Sequence, residues 1–249
     1  MTHAIEFQGV RKTFGRVVAV DRIDLTIDGG FVGLIGHNGA GKTTTMKMLM
    51  GLLRPTEGTL RIRGVDVTAD PDQARRLLGA VPEEPALYTY LTAREFLEFV
   101  AEVRGGGDVA EALELTGLGA DADRLIREYS QGMRRKTALA AALLGSPEVL
   151  VLDEALNGLD PPSAATVKEA LRQRVANGTT VLLSTHVVET VQAVADRVVM
   201  LAHGRVVADE RVADIGEDGL ERLFMDKLRE TRDQRQNPTE TGSAAPRPR

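Results

Sequence analysis

Cysteine and tryptophan are both absent from the 249 residues. The chain therefore has no disulfide, no thiolate metal site and no thiol nucleophile, a composition that fits the cytoplasm. With only three Tyr and six Phe, aliphatic side chains must fill the core. Long apolar runs are missing too. The best candidate, Ala138 to Leu152, is interrupted by Gly145, Pro147 and Glu148 and falls short of the roughly 20 apolar residues that cross a bilayer. The opening MTHAIEFQGVRKTFG holds no apolar signal core, so action at a membrane would need a partner. The formal net charge is -5. Without clustered Lys and Arg there is no footprint for general nucleic-acid binding, and no nucleic-acid partner is expected.

What remains, 43% hydrophobic and 27% charged, suits one large domain or two closely joined subdomains. Residues 4–10, 17–27 and 59–67 alternate like strands, with turn signals at Asp28-Gly29-Gly30 and Glu57-Gly58. Phe31–Ile35 reads as a buried strand entering a glycine-rich loop, and residues 42–52 as the helix after it. Residues 149–152 and 179–183 are two further short apolar strands. Strands alternating with helical segments predict an α/β fold with a mainly parallel sheet. From Glu83 to Ser146 the pattern turns helical. Thr92 with Glu95 forms a capping box, and Leu91 and Phe96 occupy the staple positions. Leu220, Leu223, Phe224 and Leu228 recur at helical spacing. Beyond about Thr231 the chain is polar and Pro-rich, and residues 232–249 are expected to be a disordered tail.

Gly36-His37-Asn38-Gly39-Ala40-Gly41-Lys42-Thr43 fits G-x-x-x-x-G-K-[ST], with a strand before and a helix after. Glycines let backbone N–H groups converge on a polyanion, and the helix start adds its positive end. Lys42 is placed for the terminal phosphates and the Thr43 hydroxyl for Mg2+. His37 fills a free position and reads as structural. The strand Val149–Leu152 ends in Asp153-Glu154. Neighbouring residues there point to different sides, so Asp153 can serve the magnesium shell while Glu154 faces the attacking water as general base or water-orienting group. His186, after residues 179–183, falls at the carboxyl edge of the sheet, where ligands sit.

These residues, with those between them, resemble the ATP-binding subunits of ABC transporters over about Ile5 to Leu228. Tyr129-Ser130-Gln131-Gly132-Met133 looks like a variant of the signature LSGGQ, and residues 154–161 resemble EPTxGLDP with its D-loop. The resemblance implies a P-loop NTPase (RecA-like) sheet with an N-terminal antiparallel β subdomain and an inserted helical subdomain. The core would comprise about 1–82 and 147–231, and the helical part about 83–146, within a single domain 1–231. It implies ATP and Mg2+ as ligands, held by residues 36–43 together with Thr44, and Phe14 as the aromatic that stacks on adenine. It also implies a second ATP-binding subunit, most simply a homodimer paired head to tail. Ser130, Gly132 and Asp160 of one protomer would then face the ATP of the other, and Glu154, His186 and Lys42 would serve hydrolysis.

Two departures stand out. After Val81-Pro82 the family usually has Gln, whereas this chain has Glu83, which would join Thr43 and Asp153 around magnesium. The signature has Tyr129, Gln131 and Met133 in place of Leu, Gly and Gln. Both features resemble the ABC-2 exporter branch, associated with drug, antibiotic and polysaccharide cargo. The implied partner is a polytopic membrane permease, with this subunit peripheral on the inner face of the membrane. Leu87, Tyr88 and Tyr90 would either meet that permease or pack under the following helix. The alternatives are a soluble non-transport ABC ATPase and an importer subunit.

Overall fold

The computed structural model describes residues 2–216 and 219–236. In chain order, the strands are β1 (Ile5–Phe14), β2 (Val17–Ile27), β3 (Phe31–Ile35), β4 (Glu57–Ile62), β5 (Val65–Asp66), β6 (Leu78–Val81), β7 (Val149–Asp153), β8 (Thr180–Thr185), β9 (Arg197–Ala202) and β10 (Arg205–Arg211). The α-helices are α1 (Lys42–Leu49), α2 (Pro71–Leu77), α3 (Ala93–Arg104), α4 (Val109–Leu115), α5 (Gln131–Leu143), α6 (Pro161–Ala176), α7 (Val188–Val194), α8 (Val212–Ile215) and α9 (Gly219–Gln236).

Two sheets form. The first, β2-β1-β4-β5, is antiparallel, and the second runs β10-β9-β3-β8-β7-β6. In the second only the β9–β10 pair is antiparallel. Every residue of β3, β7 and β8 is buried, as expected of central parallel strands covered on both faces. The register sets Ile35 beside Thr185 and Asp153 beside Ser184. The ends of β3, β7 and β8 therefore meet at one edge, which is the edge where the predicted phosphate loop, carboxylates and histidine emerge.

Residues 59–67 are not one strand. Arg63 (φ 49°) and Gly64 (φ 81°) form a turn, and Ile62 pairs with Val65. Two consecutive left-handed residues close a two-residue hairpin whose twist suits its strands. Helix α1 stops at Leu49 rather than 52, with Gly51 left-handed behind it (φ 69°). The last helix continues to Gln236, past the expected limit at Thr231, because no Gly or Pro interrupts Arg229–Gln236. Residues 237–249 of the expected tail lie outside the described residues.

The capping box at α3 is present: Thr92 accepts from the Glu95 N–H, and the Glu95 carboxylate accepts from the Thr92 N–H at 2.8 Å. Helices α3 to α5 have a core of their own, including Phe96, Leu97, Leu113, Ile126 and Tyr129. Helix α5 belongs to two cores at once. Ala140 and Leu144 pack into the helical lobe, while Leu139 and Leu143 pack against the parallel sheet. Tyr129, in the Leu position of the signature, is buried, and its hydroxyl donates to the Asp121 carbonyl at 2.5 Å. A buried phenol needs such a partner.

The join between lobe and sheet is tight at Gly79 on β6. A Cβ there would lie 2.2 Å from the Ala142 carbonyl of α5 and 2.5 Å from Leu150. The obstacle is backbone, which cannot swing aside. Gly79→Ala is expected to lower the unfolding free energy by about 2 kcal/mol through overpacking. A urea midpoint equal to that of the parent would show that the join yields.

Candidate functional site

The loop between β3 and α1 is constrained by both space and backbone angle. At Gly36 a Cβ would sit 2.5 Å from the Leu201 carbonyl. Gly41 is left-handed (φ 104°), and its Cβ would meet the Ala19 carbonyl at 2.6 Å. Only glycine satisfies either position. Inside the loop, Ala40 N–H donates to the His37 carbonyl at 3.0 Å, and Gly204 N–H, from the β9–β10 turn, donates to the Ala40 carbonyl at 2.8 Å. Asn38 and Gly39 form the exposed tip, and Thr44 is half-buried in the first turn of α1. His37 meets the Asn38 carbonyl through Nδ1 at 2.6 Å and lies edge-on to His203, 5.2 Å between ring centres.

Lys42 is 6% exposed and its Nζ donates to the Gly36 carbonyl at 2.7 Å. Burial pulls its pKa down, while Glu154, Asp153 and Glu83 push it up, with burial prevailing. Thr43 Oγ1 donates to Glu83 Oε2 at 3.3 Å. Asp153 is 1% exposed and accepts a hydrogen bond from the Ser184 hydroxyl. Its pKa is raised, chiefly by burial and then by Glu83 and Glu154. The Ser184 and Thr43 hydroxyls oppose the rise.

Glu154 does not continue the strand. Its φ is 49°, so this left-handed turn, rather than strand alternation, separates the two carboxylates. Its Oε1 lies 3.0 Å from His186 Nδ1, and its Oε2 accepts from Asn157 Nδ2 at 2.7 Å. Asn157 and Ser184 were not among the residues singled out from the sequence. Asn157 sits in the quoted EPTxGLDP-like stretch, but its role depends on a turn that spacing alone does not reveal.

Lys42, Thr43, Glu83, Asp153, Glu154 and His186 thus converge. Ser130 and Gly132 instead lie beside the loop leading from Glu154 to Asp160. Ser130 caps α5, accepting from the Met133 N–H at 3.2 Å, and a Cβ at Gly132 would lie 3.1 Å from the Gly158 carbonyl. Asp160 caps α6, accepting from the Ser163 N–H and hydroxyl at 2.9 and 2.6 Å, and the Ser163 hydroxyl holds its pKa below the ordinary value. Phe14, at the end of β1, is 50% exposed, with Lys12 Nζ 5.2 Å from its ring centre. Tyr88 packs edge-on to Phe96 and Phe99, Leu87 packs on the cores, and Tyr90 is 80% exposed. The stretch therefore splits between packing and an open aromatic surface.

Thr43, Asp153 and Glu83 offer oxygen ligands alone, a donor set for a hard cation. Among the described residues no group of three or more His, Asp or Glu could enclose a metal without help. No helix among the described residues is long and apolar enough to cross a membrane.

The sequence profile of the family described as ABC transporter matches residues 20–157. The chain belongs to that family. This ABC subunit is 40% identical over 221 residues to the daunorubicin/doxorubicin resistance ATP-binding protein DrrA of Streptomyces peucetius, covering 86% of this chain and 67% of that one. It is 39% identical over 212 residues to the Nod factor export ATP-binding protein I of Burkholderia lata, covering 82% and 70%. The dimeric ATP-binding cassette MJ0796, solved in a post-hydrolysis state with ADP and Pi, superimposes with a TM-score of 0.77 at 26% identity, over 84% of this chain and 98% of that one. The subunit binds and hydrolyses ATP for export, and the soluble non-transport alternative falls away.

The raised Asp153 pKa carries a stability consequence. Above its ordinary value of 3.8, the folded cassette holds this proton better than the unfolded chain does. The carboxyl therefore favours the fold at acid pH, and that contribution is lost as pH rises through the folded pKa. At neutral pH its buried charge is a standing cost. Asp153→Asn is expected to leave the nucleotide-free cassette as stable as the parent or about 1 kcal/mol more so, some 2–4 °C in Tm, while abolishing the extra stabilisation by ATP with Mg2+. A large drop in Tm without nucleotide would contradict this account.

Proposed function

We propose that this cassette works as one of a pair, most simply with a second copy of itself, and holds Mg-ATP at residues 36–44. The observation that carries the reading is the direct Glu154–His186 contact at 3.0 Å, beside the buried Lys42 and Asp153. In this reading, loop N–H groups and Lys42 bind the phosphates, Phe14 stacks on adenine, and Thr43, Asp153 and Glu83 hold the metal. Mg2+ supplies charge neutralisation on the phosphate oxygens. Glu154 accepts or orients the proton of the attacking water, and His186 fixes Oε1 so that the carboxylate keeps its aim. Ser130 and Gly132, at the start of α5, take the partner's γ-phosphate where helix N–H groups favour an anion, and Asp160 lies on the same seam.

In the same proposal, residues 1–231 act as one ATP-binding domain, its catalytic core at about 1–82 and 147–231 and its helical subdomain at about 83–146. It is docked peripherally on the cytoplasmic face of the membrane against a separate polytopic permease. Tyr90 and the outer face of Tyr88 contribute apolar contact to that docking. The cargo is of the drug, antibiotic or polysaccharide kind, and its selection belongs to the permease; two relatives are named for daunorubicin/doxorubicin resistance and for Nod factor export. Because ATP adds contacts only in the closed pair, it shifts the pair toward closure, and hydrolysis releases it.

Glu154→Gln is expected to bind ATP normally, to run as a dimer on size exclusion when ATP is present, and to lose turnover by at least ~100-fold. Parent-like turnover in this variant would remove Glu154 from the hydrolytic step.

A further inference from the structure

Glu154 is fastened through its backbone as well as its carboxylate. Its N–H donates to the Ser184 carbonyl at 3.0 Å, and its own carbonyl accepts from the Asn157 N–H at 3.1 Å. That carbonyl also accepts from Arg135 Nη1. Residues with a Cβ seldom take φ near 49°, and such a conformation persists only where surrounding contacts over-determine it. Arg135 supplies the contact that comes from helix α5. It stands in the first turns of α5, the helix capped by Ser130, and its half-buried side chain reaches across to the turn that carries the carboxylate. Its neighbour Arg134 behaves differently, donating to the Arg127 carbonyl at 3.2 Å within the helical lobe.

We propose that Arg135 is a positioning residue for hydrolysis: its guanidinium holds the peptide of Glu154, and so ties the aim of that carboxylate to the seating of α5. The proposal rests on the reading of Glu154 and Ser130 given above. A charge-assisted bond to a carbonyl is strong and directional, and a shift of the Glu154 peptide moves the carboxylate with it. The two ends of the link face different nucleotides. Ser130 and Gly132, at the start of α5, meet the partner's ATP, while Glu154 acts on the chain's own. The link therefore lets occupancy of one site set the geometry of the other. Gly132 against Gly158 brings the same two segments together a short way along.

The test is steady-state ATP hydrolysis by the full chain carrying Arg135→Met, Arg135→Gln, Arg135→Lys, Arg134→Met or Glu154→Gln, with Tm measured for each. Arg135→Met and Arg135→Gln are expected to lower kcat about 10- to 100-fold, the scale for a reacting group displaced by about an ångström, with KM for ATP and Tm close to the parent. Arg135→Lys, which keeps a cationic donor, is expected to recover part of the loss. Arg134→Met is expected to keep parent kcat. Arg135→Gln, which retains most of the side chain's volume, carries the test should Arg135→Met not fold. Parent-like kcat in the Arg135 variants overturns the proposal. So does a loss matched by Arg134→Met and accompanied by a fall in Tm, or a rise in KM with kcat unchanged. Parent-like kcat in Glu154→Gln instead strikes the reading of Glu154 itself, so the two failures are distinguishable.

Discussion

One buried ammonium among three carboxylates governs the rest of the structure. Lys42 sits almost out of solvent with Glu154, Asp153 and Glu83 acting on it electrostatically, and neither sign of charge is comfortable in such surroundings. The arrangement holds only if the backbone around it is rigid. The fully buried strands β3, β7 and β8 provide that rigidity, delivering Lys42, Asp153 and His186 to one edge through fixed register. Close packing at Gly36 and Gly41 fixes the loop between the charges. Polar groups that are costly in the empty fold become useful when a polyanion arrives, which is the familiar exchange of stability for function.

Helix α5 extends that constraint beyond the sheet. With one face in the core of the helical lobe and another against β6 of the parallel sheet, it is tied to both. Its capped start carries Ser130 and Gly132, and Gly79 admits it close to the sheet. The lobe is therefore a lever with a fixed attachment to the carboxylate turn, rather than a separate module appended to the core.

The sequence made legible those features whose residue type is dictated locally. The Gly and Lys pattern of residues 36–43 leaves few alternatives, and Phe31–Ile35 matches β3 to the residue. Thr92 with Glu95 fixed the start of α3 for the same reason. The hairpin at residues 57–66 was hidden because apolar residues flank the Arg63-Gly64 turn as though no turn existed. Strands β6, β9 and β10 were not delineated. Leu78–Val81 follows α2 with no turn residue between, and the His203-Gly204 hairpin signal lay unused between two Arg-Val-Val runs. Asn157 and Arg135 escaped for a different reason. Each acts through the left-handed turn at Glu154, and φ at a glutamate leaves no trace in spacing or periodicity.

The bond from Gly204 N–H to the Ala40 carbonyl reaches from late in the chain to early in it. A ribosome that has released residues 1–160 has made the loop and both adjacent carboxylates, but neither β8 nor β9, which flank β3, nor the turn that braces Ala40. A nascent subunit therefore has all the letters of its nucleotide motif long before it has the pocket. ATP competence waits until the region past Gly204 has emerged and folded back against the loop that carries Ala40.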